Sequence, residues 1–215
     1  MTDSTLPHHT TREDARKLVL ETATSLFHAR GIRSVTMDDI AHELTMSKRT
    51  LYQLFCDKED LLLACIVKHD HEEQIRLQQL ARDSADVLDF LLTNYSQNMR
   101  KNGEITPQFV ADLPKYKRVM QYIARKQAEQ EDEAVAFLDR GKAEGYFREE
   151  INFRVVYRQL VALINHIITD EVLLQYTHRE LVTNSVIAYL RGCCTAKGVA
   201  RIDEAVAQMK PDHQI

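Results

Sequence analysis

The sequence predicts an all-α protein, in which an N-terminal three-helix helix-turn-helix domain is followed by a larger helical-bundle domain. Turn-forming residues are scarce, with six glycines and four prolines in 215 residues. This scarcity favours helices joined by short turns over a many-stranded sheet. Apolar residues recur three and four positions apart along most of the chain, and no segment alternates apolar with polar residues as a strand would. Hydroxyl, amide or carboxylate side chains precede most of the apolar runs, where they can cap helices.

The first two helices each begin at a capping signal. Thr10 and Thr11 each precede an acidic residue at the spacing of a capping box, so we expect the first helix to begin at one of them. Gly31 follows the last apolar residues of this helix and supplies a left-handed stop. Thr36 can cap toward Asp39, which predicts the start of the second helix.

A short third helix is predicted to follow Ser47, which comes three residues after Leu44, the last buried position of the second helix. Two short helices with such a break have the spacing of a helix-turn-helix. Thr45 lies in the break, and a turn that needs a positive φ would be strained there by about 1–2 kcal/mol. The sequence leaves open whether this turn is strained or takes another conformation. Asp57 can cap a fourth helix.

The remaining chain keeps the helical pattern. We predict domain boundaries at residues 10–58 for the helix-turn-helix and 59–195 for the helical bundle, with a C-terminal tail at 196–215 that holds at most one short helix. Further helix starts and ends are predicted at Thr106-Pro107, Gly145, Asn152 and Thr177 with Glu180, and a weak last helix over Asp203–Met209.

Composition limits the classes of function. No uncharged apolar stretch reaches about 18 residues, so no membrane span is predicted. The first ten residues lack the apolar segment of a signal peptide, so we expect a cytoplasmic protein. The cysteines form no CxxC pair or zinc-finger spacing, and we predict neither a metal nor a cofactor. They are Cys56, Cys65, Cys193 and Cys194.

Charge gives no general support for a nucleic-acid partner. The net charge is −4, and residues 1–60 carry eight Lys and Arg against ten Asp and Glu. Segment 47–56 differs, since it holds Lys48 and Arg49 and no acidic residue. Any DNA binding must therefore depend on where the charges are placed.

Residues 18–62 read LVLETATSLFHARGIRSVTMDDIAHELTMSKRTLYQLFCDKEDLL. This segment resembles the DNA-binding domain of the TetR family of transcriptional regulators, from the first helix into the fourth. One departure is Thr45, where the family commonly has glycine. The resemblance is carried by Ala23, Phe27 and Gly31, by Thr36-Met37-x-Asp39-Ile40-Ala41, by Ser47-x-x-Thr50-Leu51-Tyr52-x-x-Phe55 and by Lys58-Glu59-x-Leu61-Leu62.

The resemblance implies a sequence-specific DNA-binding regulator whose third helix enters the major groove. The first turn of such a helix reaches base edges. Arg49 could bind a guanine edge with two hydrogen bonds or only neutralise a phosphate, and Thr36 could touch the DNA backbone or act only as a cap. Tyr52 and Lys58 resemble the family's phosphate-contacting residues. The predicted DNA-binding residues are Thr36, Ser47, Lys48, Arg49, Thr50, Tyr52 and Lys58.

The resemblance also implies that the C-terminal domain forms a homodimer and binds a small apolar or amphipathic effector. A dimer would present two recognition helices to a palindromic operator. The predicted interface is Leu160, Ile164, Ile167, Leu181 and Tyr189, and the alternative is a buried central helix in a monomer. Tyr95, Met99, Phe109, Tyr116, Met120 and Ile123 could line the effector cavity, although such a stripe also suits plain core.

Two alternatives stay open at this point. The regulator could sense oxidants through its cysteines, or the helical bundle could be a small enzyme or carrier with a vestigial N-terminal segment. No catalytic motif of the common hydrolase, metalloprotease or nucleotide-binding types is present. The default interpretation is a repressor that an effector releases from its operator.

Overall fold

A computed structural model describes residues 11–101, 106–169, 175–176, 180–181 and 183–208. These residues are almost entirely helical, and an isolated bridge between Phe147 and Cys194 is the only extended pairing among them. The predicted all-α fold is confirmed. The helices are α1 (Arg12–Arg30), α2 (Met37–Glu43), α3 (Lys48–Leu54), α4 (Lys58–Asp83), α5 (Val87–Lys101), α6 (Pro107–Asp112), α7 (Lys117–Ala143), α8 (Phe153–Thr169), α9 (Ala188–Cys193) and α10 (Ala196–Gln208).

The capping signals read from the sequence set the starts of α1 and α2. Thr11 caps α1, because its hydroxyl accepts from the Asp14 N–H at 3.1 Å and the Asp14 carboxylate accepts the Thr11 N–H at 3.0 Å. Thr36 and Asp39 repeat this box at the start of α2, with distances of 3.1 and 2.8 Å. The hydrogen bonds from the two threonines lower the pKa of Asp14 and Asp39.

The start of the last helix was predicted wrongly. The sequence pattern predicts a weak helix from Asp203 within a tail, whereas α10 already begins at Ala196. Ile202 is fully buried in this helix, and the Arg201 guanidinium donates to the Asp86 carboxylate at 2.9 Å. Residues 196–208 are therefore an integral part of the bundle. The helix start predicted at Thr177 lies outside the described residues.

The chain forms two compact units, Met1–Gln74 with Glu104–Ala124 and Ile75–Gly103 with Arg125–Ile215. Both α4 and α7 run through the two units. These units do not follow the division at residues 58 and 59, which stays a prediction of where the functions divide. Within the described ranges, every helix is too short or too polar to span a lipid bilayer.

The first unit has one hydrophobic core beneath the helix-turn-helix. Phe27, Ile40, Leu51 and Phe55 are each at most 1% exposed. Burial of one such side chain contributes about 1.5–3 kcal/mol, so the core fixes α1, α2 and α3 against one another. Residues from α6, the 3₁₀ turn after it and α7 belong to the same core, namely Phe109, Leu113 and Val119.

The second unit has its own core. The rings of Phe147 and Phe153 meet edge to face, with centroids 4.9 Å apart. Glycine at position 141 is required by this packing, because a Cβ there would lie 2.5 Å from the Phe147 ring. Ion pairs join α7 to α8 on the surface of this unit. The Glu131 carboxylate accepts from Arg154 at 2.8 Å and from Arg158 at 3.0 Å.

Candidate nucleic-acid interface

The turn between α2 and α3 is a strained Schellman turn. The Thr45 N–H donates to the His42 carbonyl at 3.0 Å, and the Met46 N–H donates to the Ala41 carbonyl at 2.9 Å. This pattern requires a left-handed backbone conformation at the first of the two donor residues. That residue is Thr45, and its φ is 51°. A β-branched residue there costs about 1–2 kcal/mol. Of the two possibilities left open by the sequence, the structure contains the strained one.

The first turn of α3 is capped and presented outward. The Ser47 hydroxyl oxygen accepts the Thr50 N–H at 3.1 Å. Leu51 and Phe55 are buried in the core and fix the inner side of the helix. On the outer side, the Tyr52 side chain is half exposed. The helix N-terminus, with its uncompensated N–H groups, is thus open to an anion such as a DNA phosphate.

The two cations of this turn differ in their surroundings. The Lys48 ammonium donates to the Asp38 carboxylate of α2 at 2.5 Å, and this hydrogen bond raises the pKa of Lys48. The two side chains are 65% and 55% exposed, so the pair contributes little stability and can exchange for a phosphate. Arg49 is exposed and makes no hydrogen bond or ion pair with any residue that the structure describes. The Arg49 guanidinium is therefore available to a partner.

Lys58 and Thr36 have internal partners. The Lys58 ammonium donates to the carbonyls of Ile32 at 3.0 Å and Val35 at 2.9 Å, and reaches that of Arg33 at 3.5 Å. Burial lowers the pKa of Lys58. The Thr36 hydroxyl is engaged in the capping box of α2. In this structure both residues support the loop between α1 and α2.

Asp112, which is not among the residues predicted from the sequence, ties α6 to this loop. Asp112 is buried, and its carboxylate accepts the Arg33 N–H at 2.8 Å and hydrogen bonds from Lys115 at 2.9 Å and Gln108 at 3.3 Å. Burial alone would raise the pKa of Asp112, but the hydrogen bonds from Arg33 and Lys115 outweigh it and lower this pKa. Among the described residues, Asp112 is the only buried charged side chain. No sequence signal marks it, because Arg33 lies 79 positions away.

The start of α6 is also bonded to the end of α1. The Thr106 N–H donates to the His28 carbonyl at 3.1 Å, and the His28 and Phe109 rings meet edge to face at 4.7 Å. Gly31 has a φ of 79°, and a Cβ there would approach Gln108 within 2.5 Å. The position of α6 is therefore coupled to the loop that precedes the helix-turn-helix.

The residues predicted to line an effector cavity lie in two cores. Phe109 is buried in the core of the first unit, and Tyr116, Met120 and Ile123 pack against it. Tyr95 packs against the core of the second unit. The side chain of Met99 lies outside the described residues.

The predicted dimer residues are also placed differently from one another. Leu160 and Tyr189 pack partly buried against the core of the second unit, and Leu181 is half-buried. Ile164 is 41% exposed on α8, which also exposes half of Val155. The side chain of Ile167 lies outside the described residues.

The structure gives no support to the redox alternative. Burial raises the pKa of Cys65 and Cys194 to about 11, and it also raises the pKa of Cys193. Since the thiolate is the form that oxidants attack, a raised pKa disfavours this reaction at neutral pH. Cys56 is exposed but has no cysteine beside it in sequence with which to form a disulfide.

Comparisons with known proteins agree with this geometry. Residues 19–65 match the family model described as bacterial regulatory proteins, tetR family. The HTH-type transcriptional repressor KstR2 of Mycobacterium tuberculosis is 25% identical over 149 residues, which cover 65% of this chain and 72% of KstR2. The solved structure of the ketosteroid transcriptional regulator KstR2 of Mycobacterium tuberculosis has a TM-score of 0.57 at 19% identity, over 88% of this chain and 100% of that one. A TetR-family regulator from Agrobacterium tumefaciens has a TM-score of 0.68 at 14% identity, over 86% of this chain and 100% of that one.

The third helix is capped, faces outward and follows a tight turn, and the fold around it is all-α. These features define a helix-turn-helix transcriptional regulator that binds specific DNA sequences. The matched segment runs through α1, α2 and α3 into α4, and it includes the turn at Thr45 and the cap at Ser47. The N-terminal segment of this chain therefore matches the DNA-binding domain of the TetR family of transcriptional regulators.

Proposed function

We propose that this protein is a repressor that binds a palindromic operator as a homodimer and leaves it when a small molecule binds. The observation that carries the proposal is the outward-facing first turn of α3, where Arg49 lacks a partner among the described residues. A helix that rests on buried Leu51 and Phe55 can place this guanidinium accurately. Arg49 would bind the O6 and N7 atoms of a guanine in the major groove.

The other DNA contacts would position the protein without reading sequence. Lys48 would exchange Asp38 for a phosphate, and the exposed Tyr52 hydroxyl would donate to another. Ser47 and Thr50 would contribute through the N-terminal end of α3, and Thr36 through the N-terminal end of α2. Lys58 would act mainly by holding the loop before α2, because its ammonium already serves the carbonyls of that loop.

A homodimer would supply the second recognition helix. A single short helix reads few bases, whereas two helices related by a two-fold axis match half-sites about 34 Å apart. The exposed apolar side chains of α8, Val155 and Ile164, support an interface on this helix. The proposed interface is Leu160, Ile164, Ile167, Leu181 and Tyr189. Those that are half-buried would contact the partner protomer through the exposed part of their side chains.

Release would depend on the coupling between α6 and the loop before α2. One end of α6 is bonded to the end of α1, through Thr106 and His28, and the other to this loop, through Asp112 and Arg33. A ligand that favours a shifted α6 would weaken this support and lower the affinity for the operator through its differential affinity for the two conformations. We propose a small apolar or amphipathic ligand. KstR2, which is described as a ketosteroid transcriptional regulator, is a relative that fits such chemistry.

The proposed ligand site is the part of the first unit's core contributed by α6, the turn after it and α7. Its members Phe109, Tyr116, Met120 and Ile123 belong to or pack against the same core as the helix-turn-helix. A ligand seated against them would act directly on the core that fixes α3. Tyr95 and Met99 of α5 stay ligand contacts predicted from the sequence alone.

The proposed function is tested by binding to the DNA upstream of the protein's own gene across a salt series. The test variant is Lys48→Ala with Arg49→Ala, and the matched control is Arg82→Ala with Lys117→Ala, which removes two exposed cations from α4 and α7. We expect two protomers per site and steep weakening with salt. The test variant should lose specific binding and the control should keep it.

Three outcomes separate the possibilities. Specific binding that the test variant retains would assign recognition to residues outside α3. Binding only to other fragments, selected from genomic DNA, would place the operator elsewhere and leave the proposal intact. Failure to bind any DNA selectively would overturn it.

A further inference from the structure

The C-terminal end of the recognition helix is capped from another helix. α3 has seven residues and no basic residue in its last turn. The Phe55 N–H donates to the Leu51 carbonyl at 3.0 Å, but the carbonyls of the last residues of any helix have no partner within it. In α3 the partners for Gln53 and Leu54 come from α1.

Two arginines of α1 supply these contacts. The Arg16 guanidinium donates to the Leu54 carbonyl at 3.2 Å, and its central carbon lies 4.4 Å from the centre of the Phe55 ring. The Arg12 guanidinium reaches the Gln53 carbonyl at 3.5 Å. A cation at a helix C-terminus is stabilised by the helix dipole, and a cation over an aromatic face is attracted to the ring. Arg16 therefore makes three favourable interactions with one helix end.

The contacts from Arg16 and Arg12 restrict tilting of α3, which the hydrophobic core restricts less. Within α3 the buried side chain is Leu51. Phe55, the residue that follows the helix, is also buried in the core. Both anchors lie toward the C-terminal half of this short segment, while the Schellman turn and the Ser47 cap hold its N-terminal end. Tilting of α3 about these anchors would displace its first turn relative to the base edges. The arginine contacts resist that tilt.

We propose that Arg16, assisted by Arg12, is a positioning residue for operator recognition, which orients α3 from its C-terminal end without touching the bases. This inference rests on the proposed function, in which the first turn of α3 reads the operator. It adds a determinant of specificity on α1 that lies outside the residues expected to contact DNA. A positioning residue and a phosphate ligand make different predictions, because loss of one phosphate contact reduces the salt slope of binding by about 0.9.

The experiment compares Arg16→Gln with the unsubstituted protein on two duplexes of equal length. The first duplex is the one that the unsubstituted protein selects from a random-sequence library, and the second has the same bases in scrambled order. Lys17→Gln is the matched control, since Lys17 is the exposed neighbouring cation on α1. Arg16→Lys is the rescue variant, because an ammonium can still lie over Phe55 and donate to the Leu54 carbonyl. Thermal unfolding of each variant shows whether it is folded.

We expect Arg16→Gln to weaken binding to the selected duplex roughly tenfold, as loss of a hydrogen bond from a charged donor would. Binding to the scrambled duplex should change by less than about threefold, with an unchanged salt slope on both. Repeating the selection with Arg16→Gln should give a broader base preference. Arg16→Lys should recover most of the affinity, and Lys17→Gln should affect both duplexes equally and slightly.

Two results would overturn the inference and spare the proposed function. One is parallel weakening on both duplexes with a shallower salt slope, which would make Arg16 a phosphate ligand. The other is unchanged affinity and base preference in a folded Arg16→Gln protein. If the unsubstituted protein selects no sequence from the library, the proposed function itself fails.

Discussion

Within each of the two compact units, polar contacts of a different range stabilise the fold. Around the helix-turn-helix, the helix starts are fixed by residues three positions apart, as with Thr11 and Asp14 or Thr36 and Asp39. In the second unit, α10 is fixed by the Arg201 guanidinium, which binds Asp86 115 positions away and the Tyr146 hydroxyl 55 positions away. Local contacts can be recognised in a sequence, and distant ones cannot. The comparison explains why the caps of the DNA-facing part were predicted and the contacts that anchor the last helix were not.

The first unit also has long-range contacts, and the one made by Asp112 gives the largest expected effect. Asp112→Ala removes the acceptor of the part-buried Arg33 N–H and the partner of Lys115. We expect the free energy of unfolding to fall by about 2–3 kcal/mol, because the hydrogen bonds to a buried carboxylate are lost together. Urea unfolding measures this change. Glu133→Ala, at an exposed position of α7, is the control and should change stability by less than about 0.5 kcal/mol.

Acid pH should weaken the same contact. The pKa of Asp112 is lowered in the folded protein, so its contribution is present above the unfolded value, about 3.9, and is lost as pH falls through the folded value. The free energy of unfolding is measured in a series from about pH 6 to about pH 3. For the unsubstituted protein we expect it to fall steeply at the acid end. Asp112→Asn should be less stable at neutral pH and show a shallower fall. Parallel curves for the two proteins would contradict the assignment.

The long-range contact of the second unit should have a smaller effect. Arg201→Met removes the hydrogen bonds to Asp86 and Tyr146 while keeping much of the side-chain volume. Because Arg201 is partly exposed, we expect a loss of about 1 kcal/mol in unfolding free energy. Arg82→Met is the control for loss of an exposed arginine. Operator affinity should stay the same in both variants, and a loss confined to Arg201→Met would show that α10 influences DNA binding.

The smallest expected effect is a gain in stability at the turn before α3. Thr45→Gly relieves the left-handed strain but adds freedom to the unfolded chain, so we expect a net gain of about 0.5–1 kcal/mol. Thr45→Ala keeps a Cβ at the same φ and should gain much less. Thermal unfolding of the two variants makes the comparison. Equal stabilities would mean that the φ of 51° is not a source of strain.

The sequence predicted the caps at Thr11, Thr36 and Ser47 because each bonds within its own first turn. It could not predict the contacts of Asp112 with Arg33 or of Arg16 with Leu54, since their partners are brought close only by tertiary packing. The resemblance implied a phosphate role for Lys58, and the structure adds the loop carbonyls that its ammonium serves. This internal role depends on the path of a loop more than 20 residues earlier in the chain.

The sequence does contain a signal for the start of α10, which is the capping residue Thr195. Thr195 caps this helix, since its hydroxyl accepts the Gly198 N–H at 3.3 Å. Val199, Ile202 and Val206 follow at helical spacing and pack in the core of the second unit. Gly198 obscured the pattern, because glycine lowers helix propensity. The structure needs it there, since a Cβ would lie 2.4 Å from the Tyr146 carbonyl oxygen.

The central claim is that the first turn of α3 reads the operator through Arg49. The most direct test is selection of duplexes from a random-sequence library by the unsubstituted protein and by Arg49→Ala. We expect the unsubstituted protein to select a two-fold symmetric site with a guanine at one position of each half-site. Arg49→Ala should accept any base at that position and keep its preference elsewhere. The same strict guanine preference in both selections would contradict the claim.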